Sequence, residues 1–108
     1  CTSLQLPLPE TSYAKNIYWV YPVILKDCSD IGVNAAMTKL CDLKIETRPF
    51  FYPMHKQPVF RKMGLFKNQS LINSEIISEQ GFYIPSGIGI SNEEICFVAD
   101  SLRSIFRN

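Results

Sequence analysis

The chain lacks what several large function classes require. It carries one histidine and four cysteines, Cys1, Cys28, Cys41 and Cys96, and no two of these are spaced as a metal knuckle. A metal site is therefore not expected. No apolar run approaches the roughly 20 residues that cross a bilayer, so no membrane partner is expected. The N-terminus has no charged region followed by an apolar stretch, which argues against a signal peptide. A net charge of +1 gives no broad attraction for nucleic acid, and Lys56, Arg61, Lys62 and Lys67 are only loosely grouped. Glycine is sparse. Ser86-Gly87-Ile88-Gly89 lacks the spacing of a dinucleotide or P-loop fingerprint and reads as a turn into a helix. There is no internal repeat, low-complexity segment or nucleophile motif.

Enough is present for one folded domain. The 108 residues are 46% hydrophobic and 12% aromatic, which is sufficient to build a core. The chain begins with Cys1 rather than Met, which suggests a piece of a longer protein. Cys41 and Cys96 fall on apolar helical faces and are expected to be buried free thiols. That points weakly to a reducing, cytoplasmic compartment.

Residues 1–16 are polar and hold Pro7 and Pro9, so they read as an extended lead-in, with a single domain over 17–108. Residues 17–25 are aromatic and β-branched, which is strand chemistry. Pro22 cannot donate to a ladder and marks that strand as an edge or an interrupted one. Residues 26–30 form a turn. Val33, Ala36, Met37, Leu40 and Leu43 recur at helical spacing and predict a helix over 31–43, capped by Asp30. Strand character returns over 45–52, with Pro49 again at an edge. Residues 53–70 read as a long loop. A short helix fits 74–80, with Asn73 as cap and Gly81 as left-handed exit, and a strand fits 82–85. Ser91 and Glu94 form a capping box for a last helix whose stripe is Ile95, Val98, Ala99, Leu102, Ile105 and Phe106. The fold class is α+β: a two-layer domain whose short mixed or antiparallel sheet is covered on one face by about three helices. The other sheet face is left open, which suits packing on a larger partner.

The chemistry is concentrated in Glu46-Thr47-Arg48-Pro49-Phe50-Phe51-Tyr52-Pro53-Met54-His55. An acid, a fork-shaped cation, a phenol and the only imidazole lie within one stiffened stretch. Each has a plainer reading. Arg48 can pair with Glu46 on the same strand face, Tyr52 can belong to the core, and His55 can be a satisfied loop histidine. No second polar cluster completes a site, so the segment reads as part of one.

Glu46 to Pro58 resembles the signature in the C-terminal domain of the DegT/DnrJ/EryC1/StrS aminotransferases, particularly the perosamine-synthase-like members. Tyr18-Trp19-Val20-Tyr21-Pro22-Val23, Ser74-Glu75, Gly81 to Gly87 and Ser91-Asn92-Glu93-Glu94-Ile95 resemble family segments in the same order, so the likeness covers residues 4–107. It implies the C-terminal small domain of a homodimeric fold-type-I enzyme that uses pyridoxal 5'-phosphate. Such an enzyme moves an amino group from glutamate to a nucleotide-linked keto-sugar. The cofactor, its Schiff-base lysine and the acid for its ring nitrogen belong to a large domain not represented in this chain, so no catalytic or cofactor-binding residue is expected here. The resemblance implies that His55 lies beside the sugar nucleotide, with Tyr52 and Arg48 near the cleft or dimer interface. The sequence departs from the family pattern at Cys28-Ser29-Asp30, which keeps only the acid of an Arg-Asp pair. It departs again at Lys44-Ile45, where glycine is usual and Lys44 needs another way out of its helix.

Overall fold

The computed structural model describes residues 3–26 and 29–106. Its centre is the pairing of β2 (Tyr21–Leu25) with β4 (Gly81–Ile84), antiparallel, with Val23 opposite Phe82. Two strands of two residues flank this pair: β1 (Leu4–Gln5) on β2 and β3 (Arg48–Pro49) on β4. The order is β1-β2-β4-β3 and every pairing is antiparallel. Alternation along β2 turns Val23 and Leu25 to one face, where they are buried, and leaves Ile24 half-buried on the other.

Helices α1 (Val33–Asp42) and α4 (Asn92–Ile105) cover the buried face. Ala36 and Leu40 of α1 join Val98 and Leu102 of α4 over Leu4, Val23, Leu25 and Phe82, with Ile45 and Phe106 closing the cluster. Phe82, Leu40 and Val23 are fully buried. Truncating any of them to alanine would cost about 2–5 kcal/mol through lost transfer energy and the cavity left behind. The Ser91–Glu94 capping box is present: Ser91 Oγ accepts from Glu94 N at 3.2 Å, and Glu94 Oε2 accepts from Ser91 N at 2.8 Å. Helix α3 (Ile72–Gln80) runs past Gln5 and Ile24, which point away from this core. The α+β class is as expected.

Several expectations are corrected. The lead-in contains strand β1, because Leu4 pairs with Leu25 and is buried there. The strand holding Pro22 is internal rather than an edge, yet β1 reaches only Leu25 and Ile24, so Pro22 lies past its end. Asp30 does not cap α1. Gly32 occupies that position without a side-chain bond, and the helix starts at Val33. The strand expected over 45–52 contracts to Arg48–Pro49, at an edge as Pro49 demands. The long loop is partly helical, with a 3-10 turn at Met54–Lys56 and α2 at Pro58–Lys62. Asn73 is inside α3, whose N-cap is Leu71. Cys41 and Cys96 are exposed. Each sits one residue beyond a stripe position, Leu40 or Ile95, and so about 100° around its helix. Cys1, Cys28 and residues 27–28 of the expected turn lie outside the described residues.

Two helix exits explain themselves physically. Lys44 adopts φ 64, the left-handed conformation usually given to glycine. Its N–H reaches Cys41 O at 2.8 Å and Ile45 N–H reaches Leu40 O at 2.9 Å, the paired bonds of a Schellman ending. Buried Ile45 and Leu40 supply the matching apolar contact, so packing holds a lysine where it is locally unfavourable. Gly81 is not left-handed; its φ is −105 and ψ 147, which is extended. Glycine is needed there for space, since a Cβ would sit 2.3 Å from Ile77 O and 3.2 Å from Phe50 Cβ. We expect Lys44→Gly to raise stability by roughly 1 kcal/mol by removing the left-handed penalty. Gly81→Ala should cost about 1–3 kcal/mol or more by overpacking. Urea denaturation of the two variants beside the wild type checks both signs.

Candidate functional site

The segment singled out in the sequence leaves the sheet at β3. Phe50 N–H donates to Gly81 O at 3.1 Å, the last tie to β4. The chain then passes the sheet face that points away from the core, the face that α3 partly covers and that was expected to be open. Phe51 stacks on Trp19 with centroids 6.4 Å apart and packs against Tyr83 at 5.8 Å. Trp19 is 75% exposed and Phe51, stacked on it, is exposed too, so this side carries an uncovered aromatic patch; Tyr52 and Met54 are also exposed.

Arg48 lies at the edge. Its guanidinium donates to Glu46 Oε1 at 3.1 Å, and both side chains are open to solvent. An exposed pair of this kind is weak and screened, so it leaves Arg48 available to a stronger anion. The pairing anticipated between Glu46 and Arg48 is present. A cleft of about 300 Å³ beside it is lined by Trp19, Thr47, Arg48, Tyr83 and Ser86, among others. Tyr52 is outside the core.

His55 has a different setting. Buried Pro53 begins the 3-10 turn, with Lys56 N–H donating to Pro53 O at 3.0 Å, and the turn directs the imidazole inward to 3% exposure. Its Nε2 is 2.8 Å from Glu75 Oε1 on α3. The other carboxylate oxygen of Glu75 accepts from Lys56 Nζ at 2.8 Å, and Lys56 also reaches Glu79 at 3.1 Å. Leu71 N–H donates to Glu75 Oε1 at 3.2 Å. Glu75 thus clamps two successive residues of the turn, one with each oxygen. Lys56 first, His55 second and the Leu71 amide after them hold its carboxyl down at about 2, against partial desolvation. Glu75 and Glu79 raise the Lys56 ammonium above its usual value.

The structure therefore leaves Arg48 on an exposed edge and Tyr52 exposed, and buries His55 in an anchored turn, with no recorded contact joining the three. Glu75, Lys56 and Glu79 received no role from the sequence. The available signal was the i, i+4 spacing of Glu75 and Glu79, which puts two acids on one face of α3 opposite a His-Lys pair.

The lysines bear on whether this chain can hold a pyridoxal cofactor. A Schiff-base lysine must be able to give up its proton in an enclosed site. Lys56 is bracketed by carboxylates that favour its charged form, and the other six lysines are exposed. A mainly apolar cavity of about 320 Å³, lined by Leu4, Tyr21, Ile84, Ile95 and Leu102 among others, has no lysine in its lining. Within this chain, then, no lysine is both enclosed and free of carboxylate partners. Among the described residues there is also no group of three His, Cys, Asp or Glu placed to hold a metal, and no helix long and apolar enough to cross a membrane.

The sequence profile of the DegT/DnrJ/EryC1/StrS aminotransferase family matches residues 2–103. The chain belongs to that family. It is 29% identical over 89 residues to a GDP-perosamine synthase of Vibrio cholerae, covering 82% of this chain and 24% of the relative. A GDP-perosamine synthase of Escherichia coli O157:H7 is 27% identical over the same length, with 82% and 23% covered. The chain thus spans about a quarter of the curated relatives it matches. Among solved structures, the aminotransferase TlmJ from Streptoalloteichus hindustanus superposes with a TM-score of 0.76 at 20% identity, covering 94% of this chain and 26% of that one. The putative sugar aminotransferase Spr1654 from Streptococcus pneumoniae, solved in PMP and PLP forms, gives 0.78 at 13% identity, covering 95% and 26%. These likenesses establish the fold.

The lowered Glu75 carboxyl has a readable consequence. Its folded value, about 2, lies below the ordinary 4.5, so its contribution to stability is complete above pH 4.5 and is lost as pH falls through 2. The urea midpoint should decline across that window, and Glu75→Gln should flatten the decline while lowering the midpoint at neutral pH. An unchanged acid limb in the variant would assign the loss to other carboxylates.

Proposed function

We propose that this chain is the C-terminal small domain of a pyridoxal-phosphate-dependent enzyme that transfers the amino group of glutamate to a nucleotide-linked keto-sugar. Residues 17–108 form the domain and residues 1–16 a lead-in that contributes an edge strand. The observation that carries this reading is the Glu46–His55 strip, held on a sheet edge within a chain that matches the family over residues 2–103. A large domain elsewhere in the polypeptide holds the cofactor, which supplies the electron sink for amino transfer. The lysine arrangement here fits that division, and on this reading the chain alone is inactive. The whole enzyme is a cytoplasmic homodimer of polysaccharide biosynthesis, and the uncovered aromatic face packs against the large domain.

In this scheme Arg48, Tyr52 and His55 form the substrate side of the cleft. Arg48 offers a planar cation to phosphate. Tyr52 offers an exposed phenol to phosphate or hydroxyl. His55 presents one edge of its anchored ring. None performs covalent chemistry. GDP is the first nucleotide to try, because the curated relatives are GDP-perosamine synthases. A second reading, a dimerisation or sugar-nucleotide-binding module without catalysis, is favoured only by the exposed strip around Trp19.

The test uses the full-length protein. Glutamate should change its visible absorption, and a GDP-linked keto-sugar should then be aminated. Arg48→Ala and Tyr52→Phe should raise KM for the sugar nucleotide by roughly tenfold or more, with kcat little changed, as loss of ground-state hydrogen bonds requires. A full-length protein with no glutamate response that dimerises with concentration would transfer support to the second reading.

A further inference from the structure

The ring orientation of His55 has a chemical cause. Glu75 titrates near pH 2, so at neutral pH it is an acceptor with no proton to give. Its 2.8 Å contact with Nε2 is then an N–H···O⁻ bond in which the imidazole donates. A neutral His55 carries its single ring hydrogen on Nε2, leaving Nδ1 a bare lone pair. No buried side-chain nitrogen or oxygen lacks a partner among the described residues, and Nε2 is the ring atom with a recorded bond. Nδ1 has no recorded partner among the described residues. Lys56 Nζ and the Leu71 amide prevent the carboxylate from turning, because they occupy Oε2 and share Oε1.

We propose that Glu75 is a positioning residue: its carboxylate holds His55 in the Nε2–H form, so that Nδ1 accepts a hydrogen bond from a hydroxyl of the sugar and does not bind a phosphate oxygen. The ligand half of this inference rests on the aminotransferase reading; the tautomer half does not. An acceptor lone pair favours a hydroxyl donor and disfavours an anionic oxygen, so the carboxylate assigns the imidazole to the sugar end of the substrate. Arg48, on the exposed edge, is left to the phosphates.

The experiment is nitrogen NMR of the imidazole in full-length protein labelled with ¹⁵N-histidine. The ring signals lost in His55→Asn are those of His55. At a pH where the ring is neutral, Nε2 should appear protonated and Nδ1 unprotonated. Glu75→Gln should give a mixture of tautomers. It should weaken binding of a GDP-linked keto-sugar roughly tenfold while leaving GDP alone unchanged, as loss of one sugar contact predicts. Adding the keto-sugar nucleotide to the wild type should shift Nδ1, and adding GDP should not, a comparison that holds even where Glu75→Gln fails to fold. A wild-type ring protonated on Nδ1 would overturn the positioning role. An Nδ1 shift with GDP alone would overturn the hydroxyl assignment. If wild-type protein binds neither compound, the aminotransferase reading fails and takes the ligand half with it, while the tautomer result stands by itself.

Discussion

At Gly81 the chain has no room for a side chain, and much of the molecule depends on that. Helix α3 passes directly into β4 at this residue, with Ile77 O and Phe50 crowding the place a Cβ would take. The close approach lets Gly81 O accept from Phe50 N–H, which fixes where the Arg48–Phe51 stretch leaves the sheet. It places Phe82 opposite Val23 in the centre of the core. It also sets the axis of α3, on which Glu75 stands to meet His55. One steric constraint thus joins the core, the sheet edge and the anchored turn.

The second organising element is the clamp on the turn at Met54–Lys56. A three-residue 3-10 helix has too few internal bonds to hold a shape by itself. Here one carboxylate takes His55 with one oxygen and Lys56 with the other, across 20 residues of sequence. The result is a short, otherwise weak segment with a defined side-chain presentation.

Legibility in the sequence followed the range of the interactions. Helix α4 was readable nearly to its ends because its cap and its stripe are both local, Ser91 with Glu94 and Val98 through Phe106, although Ile95, counted in that stripe, is 48% exposed. The Glu46–Arg48 pair was readable for the same reason, at two residues' separation. Strand β1 was hidden because the alternation of Leu4, Leu6 and Leu8 runs into Pro7 and Pro9, and only Leu4 is buried, against Leu25 far along the chain. The turn at Met54–Lys56 and the five residues of α2 are shorter than the window in which helical spacing can be seen. The partner of His55 was hidden because nothing in a linear reading links a histidine at 55 to an acid at 75. Stripe assignment failed at Cys41 and Cys96, where adjacency to an apolar residue was taken for a shared face.

The outer strands of the sheet are two residues each, and one of them ends in Pro49. An edge that short offers a passing chain only a few backbone groups to pair with, and proline removes a donor from one side. The sheet is therefore a poor template for cross-β growth even though Trp19 and Phe51 gather beside Tyr83 of β4. Pairing at a strand edge is indiscriminate, and edges of two residues give it little to hold.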